Sequence, residues 1–174
     1  KNNGGYFNSA NLYSQRLLPE SNEREMLAIN AEVSRLSPEL MRSFLAHEFQ
    51  HLISFNQKTI LRDSDDDVWL NEVRSEFTPT HLGYDDLYDG SNLKRRVAAF
   101  LADPTDSLTE WSNEAKDYGQ IALFGAYLAE HFSANILSEA LHYSESGINS
   151  IEKSLKASNF GFNFSDLFLN WSVA

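Results

Sequence analysis

Along most of the chain, apolar residues recur every three or four positions, the spacing that gathers them on one face of a helix. The clearest case runs from 38 to about 57, where Met41, Phe44, Leu45 and Leu52 fall on and near the side that carries His47, Glu48 and His51. Ser37-Pro38-Glu39 opens it well, since serine caps a helix end and the fixed φ of proline suits the first turn. Further helices are predicted over 68–77, stopping before Pro79, and over 92–102, halted by Pro104. The longest is predicted over 112–132, with Tyr118, Ile121, Leu123, Phe124, Tyr127 and Leu128 along it, and shorter ones over 134–142, 148–157 and 165–173. Residues 25–30 read as a short strand, the edge of a sheet begun upstream. Residues 1–24, rich in Asn, Gly, Ser and Tyr, read as irregular, and 61–67 as an acidic connection. No repeat or internal boundary interrupts this pattern. The expected class is mainly α (α+β): one domain over 1–174 with at most a small sheet near the N-terminus.

Composition narrows what such a domain does. Its 174 residues suffice for one sizeable core. Twenty-five acidic against 14 basic residues give a net charge of −11, which argues against binding a nucleic-acid backbone. The compact basic cluster, Lys94-Arg95-Arg96, reads as a solvated helix face. The absence of cysteine excludes a thiolate nucleophile, a Cys-ligated metal and disulfides. No apolar run approaches the roughly 20 residues of a membrane span, and no signal peptide is visible. The chain opens on Lys1 and its first methionine is Met26, so a processed product or excised domain of a longer precursor is expected.

The chemistry is concentrated at His47-Glu48-Phe49-Gln50-His51. Residues four apart share a helix face, so both imidazoles can grip one zinc ion from the same side. Glu48 stands beside them as the base for a water that the ion activates. Two histidines leave a hydrolytic zinc site one protein ligand short, and the segment from Trp69 to Glu76 supplies a carboxylate. Glu72 lies far enough beyond His51 for a second helix to return antiparallel to the first. Glu76 is one turn further on the same face, placed to accept a hydrogen bond from the far nitrogen of a ligand imidazole. The alternative is two helix histidines satisfied by neighbouring carboxylates, with Glu72 on a solvated face.

His-Glu-x-x-His followed by Asn71-Glu72-Val73-Arg74-Ser75-Glu76 resembles the gluzincin metallopeptidases. The fuller texture, 46–53 with Trp69-Leu70-Asn71-Glu72, is most similar to the hyicolysin-like neutral metallopeptidases of bacteria. The resemblance extends over Gly5-Tyr6-Phe7, Ser21-Asn22-Glu23 and 118–132. It implies a zincin-like helical domain, zinc ligands His47, His51 and Glu72, the general base Glu48, and Glu76 and Asn71 as supports behind the ligands. It also implies a protein or peptide substrate, and secretion or display on a bacterial surface. Where the family has glycine after the Asn-Glu pair, this chain has Val73 and then Arg74, which puts the cleft wall there in question.

Peptide hydrolysis also needs a donor for the negative charge that develops on the carbonyl oxygen. The stretch 117–128 resembles the segment of the gluzincin aminopeptidases in which a tyrosine does this, and the matching residue is Tyr118. The alternative is that Tyr118 packs at a helix end. His81, His131 and His142 read as solvated or hydrogen-bonded residues, and Phe7, Tyr6, Trp111 and Trp171 as packing residues. Asp63-Ser64-Asp65-Asp66-Asp67 is oxygen-rich enough for calcium but lacks an EF-hand's glycine and distal glutamate, so a solvated acidic turn fits better. The chain lacks the Gly-x-Met-Glu-Asn motif with which the aminopeptidase relatives bind a free amine, which favours endopeptidase action by a monomer. The rival expectation is a non-catalytic or latent surface module that retains the zinc site.

Overall fold

A computed structural model describes residues 4–174; the expectation of irregular structure over 1–3 lies outside the described residues. The fold is mainly helical with one two-stranded sheet near the N-terminus, as expected. Strand β1 (Gly5–Phe7) pairs antiparallel with β2 (Leu27–Ile29), Gly5 opposite Ile29. The β1 strand lies inside the stretch read as irregular; three residues containing glycine are too short to show an alternation. Phe7 and Phe55 meet with ring centroids 5.9 Å apart, whereas Tyr6 points outward at 57% exposure rather than packing.

Asn30 caps a short helix α1 (Ala31–Leu36), its side chain accepting from the Glu32 amide at 2.9 Å. Helix α2 (Pro38–Phe55) follows with Pro38 in its first turn and continues into a wider π-type turn at Asn56–Ile60. Helix α3 (Val68–His81) returns along it. Its end differs from expectation, because Pro79 lies inside the helix. Proline removes one helical bond, but its ring is fully buried here. Thr78 Oγ donates to the Arg74 carbonyl at 2.8 Å in the same turn.

Helix α4 (Asn92–Ala102) is capped by Ser91, whose hydroxyl accepts from the Lys94 amide at 3.1 Å. Helix α5 (Ala115–Leu128) begins three residues later than expected. Asn113 sits at φ +60°, incompatible with a helix there, and Asp117 accepts from the Glu114 amide at 2.8 Å in a capping box. A π-type turn (Ala129–Ser133) extends α5, and α6 (Asn135–Glu139), α7 (Gly147–Ala157) and α8 (Phe164–Ser172) close the molecule.

Leu70 and Val73 of α3, Ile121, Phe124 and Leu128 of α5, Ile136 of α6, Ile151 and Leu155 of α7 and Leu167 of α8 are wholly buried in one core. Trp171 joins it edge-on to Phe124. One close approach needs a glycine: a Cβ on Gly119 of α5 would stand 2.6 Å from the Phe100 amide nitrogen of α4. The core thus holds α3 and α5 rigidly and presses α4 against α5, while α2 lies over α3 with its histidine face inward.

Candidate metal centre

His47 and His51 stand one turn apart on α2, and Glu72 rises from the second turn of α3 to meet them. The two Nε2 atoms lie 3.1 Å apart. Glu72 faces both, with Oε2 3.6 Å from His47 Nε2 and Oε1 3.5 Å from His51 Nε2. The three side chains keep 14–16% of their surface exposed, so solvent reaches them. Among the described residues they form the one group of three such side chains whose ligand atoms converge.

The outer nitrogens explain the ring orientations. His47 Nδ1 lies 3.3 Å from Glu76 Oε1, one turn beyond Glu72. His51 Nδ1 lies 3.3 Å from Asn71 Oδ1 and 3.1 Å from Ser75 Oγ, whose hydroxyl donates to the Asn71 carbonyl at 3.0 Å. Each Nδ1 thus faces an acceptor on α3, so a neutral ring in that tautomer turns a bare Nε2 toward the other. Glu76 is itself buried and accepts from Asn92 Nδ2 at 2.9 Å, Arg96 Nε at 2.7 Å and Arg96 Nη2 at 2.8 Å.

Without a cation this arrangement is unbalanced. Two imidazole Nε2 atoms and a carboxylate converge, and Glu72 Oε2 is buried without a hydrogen-bond partner. Burial pushes the Glu72 carboxyl up to about 7, despite the neighbouring His47. Burial and the His47 charge push His51 down to about 4, so its imidazole is neutral, the form that binds metals. For His47 burial favours the neutral ring, but the contact with Glu76 outweighs it and raises the pKa. Burial works against the Glu76 carboxylate too, yet hydrogen bonds and charge from His47 and Arg96 hold its pKa far below the usual range. Ligand atoms at zinc distances of about 2.0–2.1 Å in a tetrahedron are about 3.3 Å apart. The observed 3.1, 3.5 and 3.6 Å fit that spacing, and two imidazoles with one carboxylate are a zinc donor set.

A cleft of about 540 Å³ opens beside these three side chains, lined by His47, Glu48, Arg95, Arg96 and Tyr118 among others. Glu48 Oε2 accepts from the Phe7 amide of β1 at 2.9 Å. Burial raises the Glu48 pKa by more than His47 and that amide lower it. Tyr118 faces the same cleft from the first turn of α5. Its ring is edge-on to Trp111 with centroids 4.9 Å apart, and its hydroxyl donates to Asn113 Oδ1 at 3.0 Å. It therefore lines the cleft and also packs at a helix start.

No family model matches the chain. Over 171 residues it is 26% identical to the neutral metalloprotease ShpI of Staphylococcus hyicus, an alignment covering 86% of this chain. The relationship is metalloprotease-like. The chain spans about 37% of the length of that curated relative.

Two sequence readings need correction. Lys94-Arg95-Arg96 is not uniformly solvated: the Arg96 side chain is only 20% exposed and pairs with Glu76 inside the cleft. The acidic turn is only partly solvated, since Asp66 is buried in an ion pair with Arg74 and accepts from the Gly147 amide at 3.1 Å. The turn's carboxylates do not converge on a cation site. Ser75, Asn92, Arg96 and the Phe7 amide were all missed in the sequence. The capping serine at 91, which fixes where α4 starts, was the available signal for Asn92. His81 stacks on Phe77 and His131 lies tilted against Tyr127, outside the centre.

Proposed function

We propose that residues 1–174 form the catalytic domain of a zinc-dependent endopeptidase of gluzincin type, similar to the hyicolysin-like enzymes, within a longer secreted or surface-displayed bacterial protein. The observation that carries this reading is the convergence of two imidazole Nε2 atoms on a buried carboxylate with an unpartnered oxygen. Among the described residues no helix is long and apolar enough to cross a membrane. Peptides are the substrates that the ShpI relationship favours.

His47, His51 and Glu72 hold the ion, and Glu76 and Asn71 fix the two rings. A zinc ion there supplies Lewis acidity toward water and toward the scissile carbonyl. Glu48 takes the proton from the attacking water and returns it to the leaving amine. Its raised pKa suits that exchange, and the Phe7 amide keeps one oxygen fixed while the other turns to the cleft. Tyr118 exchanges its bond to Asn113 for one to the developing oxyanion. The acidic amine-binding motif of aminopeptidases is missing from the sequence, which supports internal cleavage.

The test pairs zinc stoichiometry with hydrolysis of casein and of N-blocked peptides. The wild type should bind one zinc per chain and cleave. Glu48→Gln should keep the zinc and lose at least about 10²-fold in kcat, the contribution of a positioned base. Undiminished cleavage by that variant refutes the assignment. Bound zinc with no cleavage by the wild type favours the non-catalytic or latent module.

A further inference from the structure

The Arg96 side chain touches both halves of the cleft. Its Nε and Nη2 each grip one oxygen of Glu76, at 2.7 and 2.8 Å, and Glu76 Oε1 lies 3.3 Å from His47 Nδ1. The same guanidinium lies over the Tyr118 ring, 4.2 Å from its centroid. We infer that Arg96 is a positioning residue that ties the orientation of the His47 imidazole to that of the Tyr118 ring, through Glu76 on one side and ring stacking on the other. Its effect on turnover rests on the metallopeptidase reading, but its effect on metal binding does not.

The division of labour follows from the shape of the group. A guanidinium donates from its edge and stacks with its face, so a two-pronged grip on Glu76 sets the plane on which Tyr118 lies. Trp111 packs edge-on against the same tyrosine, so the ring is held from two directions. Asn92, one turn before Arg96, bonds Glu76 Oε2 at 2.9 Å and restrains the carboxylate further. Helix α4 thereby joins the ligand-bearing α2 and α3 to the tyrosine-bearing α5. Lysine at 96 keeps a charge opposite Glu76 but offers neither the fork nor the flat face.

The test uses Arg96→Lys, Tyr118→Phe and the double variant in the full chain, with metal affinity, cobalt(II) absorption and steady-state kinetics. Arg96→Lys is expected to stay folded, change the visible bands of the cobalt-loaded protein and weaken zinc binding about 10-fold, as lost support behind a ligand does. It should lower kcat about 10-fold with KM within about twofold, and that loss should shrink in the Tyr118→Phe background because the two residues act together. An unchanged cobalt spectrum and zinc affinity, with the same kcat loss in both backgrounds, overturns the inference. If the wild type binds metal but cleaves nothing, the peptidase reading fails while spectrum and affinity still decide the role of Arg96. A wild type that binds neither zinc nor cobalt overturns both.

Discussion

At the scale of single residues, Glu76 carries more than its place in the motif suggests. It neutralises Arg96, orients His47 and accepts from Asn92, all from a buried position. Glu76→Gln keeps the shape but removes the charge and turns a donor toward Arg96. Taking one partner from a mostly buried pair costs about 3 kcal/mol or more, and loosening a ligand imidazole costs about 10–100-fold in metal affinity. Denaturant unfolding and competition with a chelator should show both losses, and an unchanged zinc affinity would remove Glu76 from the centre. His47, His51, Glu72 and Glu76 were legible as a set because each pair sits at helix spacing, so a repeat of four along the chain implies a shared face. Arg96 was not legible. Nothing in Lys-Arg-Arg separates the buried member from its exposed neighbours, because burial is decided by how α4 meets α3 and α5.

At the scale of elements, the longer helices followed from periodicity, but the six-residue α1 (Ala31–Leu36) was too short to show one, and boundaries followed the pattern only where the chain supplied its own signals. Ser37-Pro38 marked a true start. Pro79 was misread as a stop because burial of its ring by tertiary packing offsets the lost hydrogen bond, and no local pattern reports that. The contact of α4 with α5 is the element-scale feature on which the cleft depends, since it sets Arg96 against Tyr118. It rests on Gly119, where a methyl would meet the Phe100 backbone at 2.6 Å. Gly119→Ala should therefore force the helices apart and cost about 1–3 kcal/mol as overpacking. Hydrolytic rate should fall by more than zinc affinity, because the shift separates Tyr118 from Arg96 while Arg96 and Asn92 can keep their bonds to Glu76. Thermal unfolding with metal titration checks this, and a variant as stable as wild type refutes the tight approach.

At the scale of the whole molecule, the turn that follows the histidine-bearing helix is anchored to backbone near the C-terminal helices. The wide turn after α2 carries Lys58, which is 1% exposed and donates from Nζ to the carbonyls of Tyr143 at 2.9 Å and Glu145 at 2.6 Å. Those carbonyls precede α7, so one side chain joins the first helical layer to the last. Burial, then the charges of Arg74 and Arg62, push the Lys58 ammonium down to about 8 from its ordinary 10.5. Between those two values the unfolded chain binds more protons at this group than the folded one, so its contribution to stability rises with pH across that window. Below pH 8 both states are charged and the folded one bears the full cost of burying the ammonium. The rise amounts to about 3 kcal/mol for a shift of this size. Urea unfolding of the wild type and of Lys58→Met at pH 7.5 and pH 10.5 isolates it from other titrating groups. The wild type should gain stability relative to the variant as pH rises. An equal change in both proteins would mean that Lys58 titrates as it does in the unfolded chain, and that the joint between the two layers holds an ammonium at no cost.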